Sequence, residues 1–410
     1  MSRDIQKKNL LRQSKTALLS MIGVLVLGVQ NLNAQSAAPG ANACAPATAP
    51  ATTPADRGAT PIFPAGQYPV KLPTMSLLGA PNNLPNPYGT GVDWGQLPAG
   101  RPWGGSASVV TGPDGTIWVA DRCGHSGTAG GESCTGASAG IDPLIQLDTS
   151  GKVLKMLGAG LFVSPHKMQV DKEGNIWVAD NSGNQVFKLD KNGKVLMTLG
   201  KKGVAGAGND EFDQPTDIAF GANGDFFVSD GHDGGGMSTG NARIMKFDKN
   251  GKFLMSWGKK GMGPGEFDMP HALAMDQEGR LYVADRQNNR IQVFDQNGKF
   301  IKQMFQFGRP SGIYIDKNDI LYSADSESRD GRTNIGRGGM GTAGYGFNAG
   351  AARGIRIGSV KDGKVKYFIP NNCPYPYNTA SELAEGVTTD AQGNVYGADF
   401  RGDVRKFAKQ

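Results

Sequence analysis

Histidine and cysteine are scarce in this 410-residue chain, with four of each. No two cysteines form a CxxC pair, which excludes a zinc knuckle. Cys123 and Cys134 flank a Gly/Ser-rich loop and can bridge at little closure cost. Cys44 and Cys373 lie far off, and four cysteines allow three connectivities. A membrane-length apolar run is also missing. The longest candidate, ALLSMIGVLVLGV at residues 17–29, is too short for a comfortable span. It follows a basic head (Arg3, Lys7, Lys8, Arg12, Lys15) and precedes small residues, with a cut expected after Ala34. Residues 1–34 therefore read as a signal peptide, and the protein as exported, periplasmic or secreted.

Surplus positive charge disappears with that leader. The whole chain has 43 Lys+Arg against 37 Asp+Glu. The leader takes five bases and one acid, Asp4, leaving 38 against 36 and a net of +2. Nucleic-acid binding has no compositional support. Residues 35–67, rich in Ala, Pro and Thr, read as a linker. No long stretch shows a helical period, so almost no helix is expected beyond the leader.

What the chain does have is a repeat. IWVAD or a relative ends at Asp121, Asp180, Asp230, Asp285, Asp325 and Asp399. Each copy follows a turn such as PDG or KEG. Most are followed by an alternating strand and a second turn of the KNGK type. Six copies of three or four strands predict an all-β, six-bladed β-propeller over residues 68–410. The sixth copy supplies only three strands. Residues 68–79, YPVKLPTMSLLG, end like the outer strands KVLMTLG and KFLMSWG, so this N-terminal segment is expected to close the ring.

Fourteen residues before each blade aspartate lies one repeated position, at the start of the innermost strand. It holds Ala107, His166, Thr216, His271, Ser311 and Glu385. The second, fourth and sixth blades carry His, His and Glu. Alternate blades of a six-fold ring face one another across the channel, so these three are the expected metal ligands, with zinc or another divalent transition metal as the ion. The plain alternative is that each histidine caps a strand end on a neighbouring carbonyl. Arg122 and Arg286 each follow a blade aspartate on the same rim and suit a substrate carboxylate. They could instead pair with the blade aspartates. His232, in the Gly-rich SDGHDGGG, is a candidate general base. The blade aspartates themselves recur in every copy and read as structural acceptors. The insertion at 326–354, Gly-rich with several arginines, leaves the same rim and could cover an anionic ligand.

The six-fold pattern, with RIQVFDQNGKF and GPGEFDMPHALAMD, resembles NHL-repeat propellers. FDQPTDIAFGANGDFFVSDG and MPHALAMDQEGRLYVADRQNNRIQVF are similar to the peptidyl-α-hydroxyglycine α-amidating lyase family, over roughly residues 105–408. The resemblance implies cleavage of a peptide ending in α-hydroxyglycine to an amide and glyoxylate. It also implies zinc on three histidines, a tyrosine base and arginines for the carboxylate. His166 and His271 match two of the zinc ligands, and Arg122 and Arg286 match the arginines. Glu385 stands where the family has its third histidine, and His232 where it has the tyrosine. The family's structural calcium loses an aspartate, which is Gly386 here. The reading is thus an exported metal-dependent lyase cleaving a C–N bond in a small hydroxylated carboxylate or peptide end. It is expected to be a monomer, with a small-molecule or peptide partner and no membrane span after processing. A non-catalytic propeller binding a peptide, protein or glycan, and a metal-dependent hydrolase such as a lactonase, are the alternatives.

Overall fold

Four-stranded antiparallel sheets recur six times along the chain. A computed structural model describes residues 74–410 except 124–132, 222, 233–239, 329–347, 372–384 and 400–402. The leader and linker, Cys44, Cys373, His125 and most of the 326–354 insertion lie outside the described residues. Among the described residues the one helical element is a short 3₁₀ turn, Gly136–Ser138, and no helix is long and apolar enough to cross a membrane.

Blade 2 shows the pattern: Pro165–Val170, Ile176–Asp180, Gln185–Leu189 and Val195–Gly200, from the channel outward. The second strand of a blade is buried on both faces, which is why it reads as a continuous apolar run rather than an alternation. In blade 1, Ile117 and Val119 pack toward blade 6, whereas Trp118 and Ala120 pack toward blade 2. Among the described residues, each pair of adjacent blades shares one buried cluster of this kind. A blade alone would leave both faces wet; closing the ring buries them.

The blade aspartates act as clips. Asp180 accepts from the backbone N–H of Val163 at 2.9 Å and Ser164 at 2.6 Å. Asp230, Asp285 and Asp325 accept in the same way from Asp213, Asp268 and Arg309. Each therefore ties the end of its strand to the loop that enters the innermost strand. Arg243, Arg290 and Arg356 supply a second, charged contact to these three carboxylates.

The ring is closed by an N-terminal strand, but not by residues 74–79; residues 68–73 of the expected segment lie outside the described residues. The outer strand of blade 6 is Val92–Trp94, paired antiparallel with Asp403–Phe407. Of the expected segment, residues 74–79 enter a tight turn in which Met75 bridges Pro81 and Leu77 is exposed. Pro73 would remove a donor from a strand there, and the apolar ending SLLG imitated an outer strand without pairing as one. Trp94 is the anchor of the true closure. It is buried in the blade 6–blade 1 cluster and meets Tyr396 edge to face at 4.8 Å. Trp94→Ala is expected to cost about 3–5 kcal/mol, read from urea unfolding. A loss under about 1 kcal/mol would show that this strand does not hold the ring shut.

Candidate metal centre

Proline before histidine, in SPHK and MPHA, has a geometric cause. Pro165 and Pro270 each pair with their blade aspartate as the first residue of the innermost strand, a place where a missing N–H is tolerated. The register then shifts between Pro165 and Met168 and between Pro270 and Ala272. The histidine falls in that bulge, which re-aims a side chain out of the alternation. Both histidines are fully buried.

Each imidazole uses its two nitrogens differently. Nδ1 of His166 lies 2.9 Å from the Thr216 carbonyl, and Nδ1 of His271 lies 2.6 Å from the Ser311 carbonyl. A carbonyl only accepts, so Nδ1 carries the proton and Nε2 keeps its lone pair. The strand-capping reading of these histidines thus holds for Nδ1 and leaves Nε2 for other work. Nε2 of His166 is buried with no hydrogen-bond partner.

His232 joins them. Gly231, at φ +128°, turns the chain where any Cβ would strike the Asn241 carbonyl. The His232 ring follows, with Nε2 3.2 Å from Nε2 of His271. The ring centroids of the three imidazoles lie 4.6–5.0 Å apart. Among the described residues, these three offer ligand atoms all within 4.8 Å of one another. Burial, then the charges of Arg286 and Arg122, push the His232 pKa down to about 3. Burial holds His166 and His271 well below the ordinary imidazole range, with neighbouring charges adding to it. The cluster is therefore neutral and rich in inward lone pairs. Such a set repels itself when bare and suits a divalent cation.

Glu385, expected as the third ligand, lies at the edge of the cluster. Its Oε1 is 3.2 Å from Nε2 of His271 and 3.2 Å from Nη1 of Arg286, and its Oε2 accepts from Ser326 at 2.8 Å. Its backbone carbonyl, with that of Ala107, accepts from the buried Lys167 ammonium. Burial lowers the Lys167 pKa to about 8. Lys167 thereby ties blades 1, 2 and 6 together inside the channel.

Arg286 is almost fully buried. Besides Glu385 it faces Glu327 at 3.6 Å and His232 at 3.5 Å, and it donates to the Met269 sulfur at 2.8 Å. Met269 has φ +69° just before Pro270, so the chain holds a strained backbone to place that thioether. Arg122 donates to the Pro165 carbonyl at 3.4 Å. Arg286 and Arg122 both stand near enough to the imidazoles to disfavour their protonation. Two residues were not foreseen. Arg309 is fully buried and braces the Arg286 carbonyl at 2.8 Å and Glu327 at 3.0 Å. Glu327 completes that bridge. The one available signal was position: Arg309 precedes the innermost strand of blade 5, as Met269 does in blade 4.

Residues 267–294 match the family model described as NHL repeat. Peptidyl-glycine alpha-amidating monooxygenase A of Xenopus laevis is 43% identical over 155 residues, which are 36% of this chain and 15% of that protein. A probable peptidyl-alpha-hydroxyglycine alpha-amidating lyase of Caenorhabditis elegans is 40% identical over 141 residues, 33% of this chain and 38% of that protein. Peptidyl-alpha-hydroxyglycine alpha-amidating lyase 1 of Drosophila melanogaster is 37% identical over 151 residues, 34% and 26% of the two chains. The chain thus spans well under half the length of these relatives. With one NHL repeat matched at residues 267–294 and six four-stranded blades in the ring, the chain is a six-bladed β-propeller that resembles, over about a third of its length, proteins named as peptidyl-α-hydroxyglycine α-amidating lyases.

Proposed function

We propose that the protein is an exported, metal-dependent lyase that cleaves the C–N bond of a small α-hydroxylated carboxylate, with a peptide ending in α-hydroxyglycine as the first substrate to test. The observation that carries this reading is the convergence of three neutral imidazoles, those of His166 and His271 fully buried and that of His232 half-buried, beside a buried arginine. The likeness to proteins named as amidating lyases supplies the reaction class. Export is supported by the basic, apolar leader and by the Cys123–Cys134 disulfide.

In this reading His166, His232 and His271 would hold one divalent ion, zinc being the first candidate. Bound there, the ion would act as a Lewis acid on a substrate oxygen. His232 then serves in the ligand set rather than as the free proton acceptor expected from its place in the sequence. Glu385 serves Arg286, one atom's breadth from the ligands. Arg286 and Arg122 orient the substrate carboxylate at the channel mouth, and the Met269 sulfur and Glu327 hold Arg286 in place for it. In the elimination the C–N bond breaks as the hydroxyl oxygen becomes the aldehyde carbonyl of glyoxylate; the hydroxyl proton passes to solvent and the departing nitrogen takes one up, so the products are the amide and glyoxylate with no net change in protons. The burial of Arg286 favours such a step because its charge is little screened there.

The test is a glyoxylate assay on a peptide ending in α-hydroxyglycine, with zinc-loaded protein and bound metal measured on the same sample. Stoichiometric metal with glyoxylate release is the expected result. Metal without glyoxylate would sink the named reaction, and ring opening of a lactone by that sample would replace it with hydrolysis.

A further inference from the structure

Arg286 is an odd carboxylate receptor, because a carboxylate of the protein already sits on it. Glu385 Oε1 lies 3.2 Å from Nη1, at a site where both side chains are almost fully buried. Glu327 also approaches Arg286, at 3.6 Å, but Glu327 has its own cation in Arg309 at 3.0 Å. Arg309 in turn is anchored on the Arg286 carbonyl and Gln287. Glu385 is held differently. Its carboxylate is gripped by Arg286 and by the Ser326 hydroxyl at 2.8 Å, while Lys167 binds its main-chain carbonyl. On the other side Oε1 faces Nε2 of His271 at 3.2 Å. That nitrogen presents a lone pair, since Nδ1 gives its proton to Ser311. Two acceptors at that distance repel.

We propose that Glu385 is an internal occupant of the Arg286 anion site, and that the substrate's carboxylate enters by displacing it. This rests on the reading of Arg286 as the carboxylate receptor. The consequence is selectivity. A ligand with a free carboxylate replaces one charge-assisted contact with another. A neutral amide or ester would have to leave Glu385 in place or leave buried Arg286 with only the more distant Glu327, whose charge Arg309 already shares, which is costly. Glu385 and Ser326 therefore set a preference for α-hydroxy carboxylates over their neutral counterparts. Glu327 stays on Arg309 and keeps Arg286 aimed during the exchange.

The experiment is calorimetric titration of glycolate, and of glycolamide as its neutral counterpart, into the zinc-supplemented full chain and into Glu385→Gln. Glutamine keeps the volume and the Ser326 contact but removes the competing charge. Glycolate should bind about tenfold or more tightly to Glu385→Gln, the size expected for a close charge pair, with glycolamide nearly unchanged. Unchanged or weaker glycolate binding would overturn the proposal, as would an equal gain for glycolamide. Should Glu385→Gln fail to fold, Ser326→Ala loosens the same carboxylate, and a gain for glycolate alone of a few-fold is expected from one lost hydrogen bond. No glycolate binding by either protein would remove Arg286 as a carboxylate site altogether. Tighter glycolate binding without glyoxylate release would leave the displacement standing and remove only the named reaction.

Discussion

The double change His166→Ala, His271→Ala will take bound divalent metal from near one equivalent per chain to background, read by elemental analysis after dialysis. The reason lies in how the two rings are fixed. Each Nδ1–H is anchored on a carbonyl of the next blade, Thr216 or Ser311, so each Nε2 is aimed before any ion arrives. Loss of an outer partner of a metal ligand typically weakens affinity about 10–100-fold, and loss of the ligand itself costs more. His232→Ala is the informative single change. As the third ligand its removal releases the metal; as a proton acceptor alone it would leave the metal in place and lower only turnover. Full metal retention in the double variant would end the metal-centre reading.

Arg286→Met should lower kcat/KM for the hydroxyglycine peptide about 10²- to 10³-fold, the range expected when one member of a buried charged contact is truncated. Most of the change should fall on KM if the arginine holds the carboxylate in ground and transition states alike. Arg286→Lys should restore only part of the loss, because an ammonium lacks the two-pronged donor geometry of a guanidinium. The variant also takes the Arg286 cation from the buried Glu385, while Glu327 keeps Arg309, so its melting temperature must be read beside the kinetics. A change under threefold in kcat/KM would remove Arg286 from the site.

Much of the fold was legible because a propeller repeats its own grammar. The IWVAD strand is apolar on both faces in blade after blade, and in blades 1 to 5 the aspartate that ends it binds the same entering loop, as Asp180 binds Val163 and Ser164. The closing strand was misplaced for the opposite reason: it occurs once. Residues 68–79 looked like an outer strand by their ending, whereas Val92–Trp94 is three residues long and shows no alternation to find. What marks it is a partner, Tyr396, some 300 residues away in sequence.

The same division runs through the site. Counting from the blade aspartates put His166, His271 and Glu385 at one end of the channel, and all three are there. Phase alone did not show which atoms converge. His232 lies outside that phase, on a loop, and reaches the cluster only because Gly231 turns where a side chain would clash. Glu385 keeps the phase yet meets Arg286, 99 residues back in sequence.

Read by itself, the chain determined the number of blades, the burial of each second strand and the ring position at which imidazoles appear. Those follow from local alternation and turn chemistry, repeated until chance is excluded. Only the tertiary structure decided which carboxylate sits on which arginine, which nitrogen of each histidine is spent on a carbonyl, and which strand seals the ring. These are contests between groups brought together by closure, and they are settled by distance, charge and burial that no single blade contains.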